Sequence, residues 1–172
     1  MRPWLLAAAA LVAALMLFRG APHAQRQRIH ARVVRAVDGD TLVASAGGRS
    51  FYVRLLGIDT PETHRPGTPV ECGGPQASAS MAALAPPGRR IELETDPGQD
   101  RVDAYGRLLA YVWLPDGRLI EDEQLRAGWA TTYVFHGKPV SLFGRLTDSE
   151  RAAERARRGV WTECGGRFHS AE

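Results

Sequence analysis

The chain has 172 residues, of which 44% are hydrophobic, and this is enough for one domain with a buried core. Its net charge is +3, but Arg2 and Arg19 lie in an apolar N-terminal segment, and the rest of the chain holds 20 basic and 19 acidic side chains. Bulk charge therefore does not indicate a polyanion-binding protein. Lys138 is the only lysine. Arginine is thus the ordinary cation here, and residue type alone does not identify a phosphate ligand.

The N-terminus carries an uncharged apolar run at residues 4–18, followed by Arg19. This pattern is typical of a secretory signal peptide and predicts one over residues 1–24. The run is short for a membrane span, which needs about 20 residues. Pro22 fits poorly before a cleavage after Ala24, so an uncleaved anchor that tethers the protein through residues 4–18 stays open. Both alternatives predict a secreted or extracytoplasmic domain.

The remaining chain reads as one domain. Polar residues 25–30 predict a linker, residues 31–166 form the domain, and residues 167–172 form a tail. Apolar patterns and turn residues predict five strands, at residues 32–37, 41–46, 51–58, 90–94 and 108–114. Start and stop signals predict three helices, at residues 74–84, 121–128 and 141–158. Short strands followed by helices predict an α+β fold, with a small closed five-stranded β-barrel and three α-helices packed outside it.

Cys72 and Cys164 are the only two cysteines. An even pair in an oxidising compartment predicts a disulfide, and two free thiols are the alternative. By the chain-entropy argument, a disulfide that closes a loop of this length stabilises the folded state by about 4.7 kcal/mol. A metal site is disfavoured because neither cysteine has a histidine or cysteine partner at ligand spacing.

Three short polar blocks carry the candidate chemistry. They are Asp38-Gly39-Asp40-Thr41, the segment from Arg54 through Asp59-Thr60-Pro61-Glu62, and Asp103-Ala104-Tyr105-Gly106-Arg107. Carboxylate oxygens hold hard cations, guanidinium forks hold phosphate, and a glutamate can take a proton from water. These are the parts needed to cut a phosphodiester beside a divalent cation.

In these blocks, in their order and spacing, the chain resembles the staphylococcal nuclease (thermonuclease) family from about Arg32 to Trp161. The resemblance implies an OB-fold barrel with three helices. It also implies a calcium-dependent, sugar-nonspecific nuclease that hydrolyses DNA and RNA and leaves 3′-phosphate products. We expect a monomer whose partners are its DNA and RNA substrates.

The resemblance implies a metal site built from Asp40, Asp59 and the backbone carbonyl of Thr60, with Asp38 in support. So few protein oxygens leave most of the coordination sphere to water and phosphate, which favours Ca²⁺ over Mg²⁺. Glu62 is implied as the general base. For the isolated Asp-Gly-Asp motif, a structural aspartate that caps the turn is the alternative.

The resemblance also assigns Arg54 and Arg107 to the charge that develops on the phosphate. A barrel-rim arginine that extends into solvent is the alternative for Arg54. Tyr105 and Tyr133 are candidates for substrate binding, by a hydrogen bond to phosphate or by stacking, and half-buried aromatics in the barrel wall are their alternative.

Two positions depart from the family pattern. Phe135 stands where the family has a second tyrosine, and Ala104 stands where it has a lysine. Both departures concern nucleotide binding and leave the hydrolytic set complete. Two other functions stay open: a catalytically silent OB-fold module that binds nucleic acid, and a cell-surface structural domain held by a disulfide. The presence of the ligands, the base and both arginines favours the nuclease.

Overall fold

The computed structural model describes residues 26–63 and 69–166. The predicted signal peptide at 1–24, its tether segment at 4–18 and the tail at 167–172 lie outside the described residues. Within the described part of the chain, no helix has the length and apolar character needed to cross a membrane.

Five strands close a barrel in the order β1-β2-β3-β6-β5, and β4 and β7 form a separate two-stranded sheet. The strands are β1 Arg28–Ala36, β2 Thr41–Ala46, β3 Arg49–Leu55, β4 Ile58–Asp59, β5 Arg90–Glu94, β6 Leu108–Trp113 and β7 Thr131–Thr132. The β3–β6 pair is parallel, and the other barrel pairs are antiparallel. The predicted α+β class with a closed five-stranded barrel is confirmed.

In residues 26–63 and 69–166, four helices accompany the barrel: α1 Gly74–Leu84, α2 Ile120–Ala127, α3 Phe143–Arg155 and α4 Val160–Glu163. The first three confirm the predicted helices. The predicted span 141–158 was too long for α3, because Arg157 adopts a left-handed backbone with φ 53°. The amide of Val160 then donates to the carbonyl of Gly128 at 2.9 Å. This contact starts the one-turn α4, which the sequence did not predict.

Two strand boundaries also differ from the prediction. The linker at 25–30 is wrong in its last part, because β1 begins at Arg28 and pairs with β5 from there, Arg28 opposite Glu94. The strand predicted at 51–58 is two strands. Gly57 has φ 74°, and a β-carbon on it would lie 2.6 Å from Val140 Cγ2, so the chain turns there before β4.

The barrel interior and the helix contacts form one apolar core. Its fully buried side chains include Leu42, Val53, Leu93, Met81, Leu125 and Leu146, from three strands and three helices. Truncating such a side chain to alanine costs about 2–5 kcal/mol. The core holds the strand ends that carry the polar blocks in fixed positions.

A buried polar network joins the barrel to the start of α3. Asp96 Oδ2 accepts hydrogen bonds from the Tyr111 hydroxyl at 2.7 Å and from the Ser141 amide at 2.6 Å, and Oδ1 accepts from the Gly98 amide at 2.9 Å. Burial favours a higher pKa for Asp96, but these hydrogen bonds outweigh it and hold the pKa below its usual value. The Tyr111 hydroxyl also accepts from the Leu142 amide at 3.1 Å.

The predicted disulfide between Cys72 and Cys164 is confirmed, with the two Cα atoms 5.8 Å apart. It joins the residues just before α1 to the end of α4.

Candidate active site

An open cleft of about 760 Å³ lies beside the barrel, where β3 ends and the chain leaves β4. Five of the residues predicted for the site line this cleft: Arg54, Asp59, Tyr105, Arg107 and Tyr133. They come from β3, β4, the segment before β6 and the segment after β7. The fold therefore brings together side chains that are widely separated in the sequence.

Arg54 is the central side chain of the site. Its Nε lies 3.2 Å from Asp40 Oδ1, and its Nη2 lies 2.9 Å from Asp59 Oδ1. Its Nη1 donates to the carbonyls of Leu55 and Ile58, each at 2.9 Å. The side chain is only 15% exposed, so a rim arginine that extends into solvent is wrong.

The surroundings of Arg54 keep it charged. Burial alone would lower the pKa of Arg54, but the carboxylates of Asp40, Asp59 and Asp38 raise it above its ordinary value. The guanidinium is therefore a permanent cation that links two of the predicted metal ligands.

Asp40 is buried and accepts hydrogen bonds on both carboxylate oxygens. Its Oδ2 accepts from the amide of Thr60 at 3.0 Å and from the hydroxyl of Thr60 at 2.9 Å. Its Oδ1 accepts from the Thr41 hydroxyl at 3.0 Å, in addition to the contact with Arg54. Thr60 thus holds Asp40 through its amide and hydroxyl, while the predicted role of its carbonyl stays a prediction.

Asp38 caps the turn that carries Asp40. Its Oδ1 accepts from the amides of Asp40 at 3.0 Å and Thr41 at 2.7 Å, which is the structural role that the isolated motif also allowed. Burial and the neighbouring Asp40 raise the pKa of Asp38 to about 6. Gly39 leaves no room for a side chain, since a β-carbon there would lie 2.7 Å from Thr60 Oγ1.

The sequence did not single out Gln124, which fixes this turn from the helical side. It is fully buried, and its Nε2 donates to the Gly39 carbonyl at 2.7 Å and to the Ala77 carbonyl at 3.1 Å. An uncharged polar residue amid the apolar positions of α2 is the signal that could have found it.

Arg107 is held by Asp103 across a tight turn. Its Nε lies 2.6 Å from Asp103 Oδ2, while Asp103 Oδ1 accepts from the amides of Tyr105 and Arg107, each at 2.9 Å. Burial favours a higher pKa for Asp103, but the hydrogen bonds and charge of Arg107 lower it below its usual value. Arg107 Nη1 also donates to Thr41 Oγ1 at 3.5 Å, so the arginine lies next to the Asp40 turn.

Aromatic side chains are among the residues that line the cleft. Tyr105 is 85% exposed and its ring lies 5.3 Å from the Arg107 guanidinium carbon, so a half-buried wall position is wrong for this tyrosine. The Tyr133 ring lies 6.5 Å from that of Phe135, which in turn stacks on His136 at 3.9 Å. The sequence did not predict His136, because its place in the cleft depends on the loop after β7.

Glu62 lies just after β4 and is not among the side chains that line the cleft in the described residues. Its Oε1 accepts from the amide of Thr63 at 2.8 Å, and its own amide donates to Glu71 Oε2 at 2.7 Å. Its assignment as a base stays a prediction.

A calcium ion is compatible with this donor set. Asp40 and Asp59 present hard carboxylate oxygens to the same guanidinium, at the strand ends beside the cleft. Over residues 26–63 and 69–166, no group of three or more His, Cys, Asp or Glu side chains has a geometry that could hold a metal ion. Ca²⁺ accepts water and phosphate oxygens at loose geometry, so a site with two carboxylates and further oxygens from solvent or substrate suits it.

A closed five-stranded barrel with Arg54 held against two carboxylates, and with Arg107 lining the same cleft as Arg54, is an OB-fold-like domain whose cleft is suited to binding a phosphate. The family model described as staphylococcal nuclease homologue matches residues 52–163. The chain belongs to the staphylococcal nuclease family and is a hydrolase, a nuclease.

Similar proteins carry names of the same kind. The chain is 34% identical over 148 residues to endonuclease YncB of Bacillus subtilis, which covers 85% of this chain and 69% of that protein. It is 31% identical over 131 residues to a thermonuclease of Staphylococcus hyicus, covering 76% of this chain and 75% of that protein. It is 37% identical over 131 residues to the prophage-derived endonuclease YokF of Bacillus subtilis, covering 76% of this chain and 43% of that protein.

Proposed function

We propose that this protein is a secreted, calcium-dependent nuclease that hydrolyses phosphodiester bonds in both DNA and RNA and leaves the phosphate on the 3′ side. The observation that carries the proposal is Arg54, which binds Asp40 and Asp59 and faces the cleft that also holds Arg107. The apolar N-terminal segment and the Cys72–Cys164 disulfide support secretion, because disulfides persist in oxidising compartments.

In this mechanism Arg54 binds the scissile phosphate while its own position is fixed. A guanidinium has five N–H donors. Among the described residues, Nη1 donates to two carbonyls and Nη2 donates to Asp59, while Nε lies 3.2 Å from Asp40 Oδ1 as an ion pair. The remaining Nη2 donor can bind a phosphate oxygen. Because the carbonyls and carboxylates hold the group in place before the reaction, little reorganisation is needed as charge develops on the phosphate.

Arg107 supplies the second cation. Asp103 accepts from its Nε–H and Thr41 accepts from one Nη1 donor. Counting the described residues alone, three donors are left for phosphate oxygens. The fork can bind two oxygens at once, which orients the phosphate as well as neutralising it. Tyr105 and Tyr133 line the same cleft and are proposed to contact the nucleotide through their rings or hydroxyls.

Asp40 and Asp59 would hold the calcium ion, which when bound would supply Lewis-acid stabilisation of the phosphate and a site for the attacking water. Glu62 is proposed to take the proton from that water as the general base. Phe135, which is 51% exposed in the cleft, can stack on a base but has no hydroxyl to donate.

A digestion assay of the full chain tests this proposal. Plasmid DNA, single-stranded DNA and RNA are each incubated with calcium, with magnesium, and with calcium plus a chelator, and the product ends are labelled to locate the phosphate. We expect cleavage of all three substrates with calcium, none with chelator, and 3′-phosphate ends. Binding without cleavage in every condition would indicate the silent OB-fold module instead, and full activity with chelator would overturn the metal site.

A further inference from the structure

Glu62 and Glu71 are joined by hydrogen bonds in both directions. The amide of Glu71 donates to the Glu62 carbonyl at 3.0 Å, and the amide of Glu62 donates to Glu71 Oε2 at 2.7 Å. The first bond fixes the distance between the two backbone segments, and the second directs a charged acceptor at the amide of Glu62. Such charge-assisted bonds are stronger than neutral ones.

The residues that follow Glu71 pack directly on the segment that carries Glu62. A β-carbon added to Gly74 would lie 2.7 Å from Thr63 Cγ2 and 3.1 Å from the Glu62 carbonyl oxygen. One added to Gly73 would lie 3.5 Å from Pro61 Cγ. Gly74 thus lets this segment approach the Glu62 backbone more closely than a side chain would permit, whereas the distance from Gly73 to Pro61 is an ordinary van der Waals contact.

The opposite side of the 71–74 segment is fixed by the disulfide. Cys72 is bonded to Cys164, and a β-carbon on Gly73 would lie 3.6 Å from Cys164 Sγ and 3.0 Å from Val160 Cγ1. The segment is therefore held between α4 and the backbone of Glu62. The disulfide at Cys72 and the two hydrogen bonds between Glu71 and Glu62 therefore link α4 to the backbone of Glu62.

We propose that Glu71 is a positioning residue for Glu62, and that the Cys72–Cys164 disulfide keeps Glu71 in place, so that turnover depends on both. This inference rests on the proposed function, in which Glu62 is the general base. A general base acts only within hydrogen-bond reach of the proton it takes. A misplacement of about 1 Å can cost a factor of about 10² in rate. Contacts that hold the backbone of Glu62 in position should therefore affect kcat.

The first test compares Glu71→Ala with Glu71→Gln in the full chain, assayed on single-stranded DNA at saturating calcium. The glutamine keeps an oxygen that can accept from the Glu62 amide, and the alanine does not. We expect kcat to fall at least about tenfold in Glu71→Ala with KM within about threefold of the parent, and Glu71→Gln to stay within about threefold in both. Equal kcat in the parent and Glu71→Ala, or equal losses in both variants, would overturn the proposal.

The second test places Glu71→Ala in a Glu62→Gln background. If Glu71 acts through Glu62, the double variant should be no slower than Glu62→Gln alone, because effects of residues that act as a unit are not additive. Additive losses of turnover would show that Glu71 acts through a group other than Glu62. Hydrogen exchange of the peptide that contains Glu62 gives a readout that is independent of activity. We expect faster exchange in Glu71→Ala, and unchanged exchange would contradict the role of Glu71 in holding the Glu62 backbone.

The third test replaces both cysteines, Cys72→Ser with Cys164→Ser, and is run at 25 °C after circular dichroism has shown the variant to be folded. We expect a kcat loss of at least about fivefold, and when Glu71→Ala is added, a total loss no greater than in Glu71→Ala alone. A folded double variant with parental kcat would overturn the role of the disulfide. If the parent itself does not cut nucleic acid, or if Glu62→Gln is as fast as the parent, the proposed function is wrong. If the parent is active and Glu71→Ala is as fast as the parent, only the positioning role of Glu71 is wrong.

Discussion

Thr41 and Arg54 are directly opposite each other in the antiparallel β2–β3 pair, and this register places Arg54 Nε 3.2 Å from Asp40 Oδ1. The same Thr41 hydroxyl donates to Asp40 and accepts from Arg107. The two arginines are thus connected through one threonine and one aspartate. Because these residues contact one another directly, we expect a substitution at one of them to affect the others.

Arg54→Lys should lose both activity and stability. A lysine keeps the charge but cannot bind two carboxylates and two carbonyls at once, so turnover should fall by about 10²–10³. Because the side chain is only 15% exposed, the acceptors left without donors should also cost about 1–3 kcal/mol of unfolding free energy. Kinetics and urea unfolding of the same preparation measure both quantities.

Arg107→Lys is the matched variant and should separate the two effects. Arg107 is 29% exposed and its aspartate partner is 17% exposed, so a lysine can pair with Asp103 and the free energy of unfolding should change little. Turnover should still drop by about 10²–10³ because the fork is lost. If both lysine variants cut DNA within about tenfold of the parent, a difference of about 1.4 kcal/mol, the fork argument is wrong.

Asp40→Asn and Asp59→Asn should both reduce calcium-dependent cleavage by about a hundredfold or more, since charge stabilisation of several kcal/mol is lost. They should differ in stability. Asp40 accepts hydrogen bonds on both oxygens from Thr60 and Thr41 and forms an ion pair with Arg54, and an asparagine can accept on only one oxygen. We therefore expect Asp40→Asn to cost about 1–3 kcal/mol, and Asp59→Asn, whose carboxylate is 24% exposed, to cost less.

Calorimetric titration with calcium provides the readout that does not depend on activity for these two variants. Both should show weaker binding than the parent. Unchanged calcium affinity in both would place the metal elsewhere, whatever the cleavage rates.

Tyr111→Phe should destabilise the protein by about 1–3 kcal/mol at pH 7, because the Asp96 carboxylate loses a donor and the Leu142 amide loses an acceptor, both in a buried network. Urea unfolding measures this loss, and a cost below about 0.5 kcal/mol would show that water replaces the hydroxyl.

The pKa of Asp96 gives a matching pH prediction. Since hydrogen bonds lower it below the ordinary value of 3.8, the stabilisation is present above that value and is lost as the pH falls through the pKa of the folded state. Asp96→Asn should remove this part of the acid sensitivity, so that the parent and the variant differ more in unfolding free energy at pH 7 than at pH 3. An equal difference at both pH values would contradict the assignment.

Gly57→Ala should be markedly more harmful than Gly117→Ala. Both glycines have positive φ, 74° and 82°, so an alanine at either position costs about 1–2 kcal/mol in backbone strain. At Gly57 the new methyl would also lie 2.6 Å from Val140 Cγ2 and 2.7 Å from Leu146 Cδ1, whereas nothing lies within 4 Å at Gly117. Overpacking should therefore add about 1–3 kcal/mol at Gly57 alone, and urea unfolding of the pair measures the difference.

The barrel could be predicted because its strands keep a clear apolar pattern between turn residues. The start of β1 was not predicted, because Arg28 and His30 face outward and leave only Ile29 and Ala31 as a weak inward pattern. The break at Gly57 was not predicted either, because the apolar residues continue through the turn.

The members of the site were predictable from their motifs, but their interactions were not. Arg54 could be assigned to phosphate, yet its burial between Asp40 and Asp59 depends on the register of β2 with β3 and on the turn that follows. Glu71 was not predicted, because its bond to the amide of Glu62, nine residues earlier, depends on the path of the chain after β4 and not on a local sequence pattern. Local patterns report residue type and strand period, whereas such bonds are set by the closed fold.

The parallel pairing of β3 with β6 places Arg54 beside Leu109. Parallel neighbours cannot be joined by a hairpin, so this contact joins strands that are far apart in the chain. Arg54 and Arg107 come from the two sides of that pair. A chain in which this pair has not formed therefore holds both arginines without the cleft that brings them together.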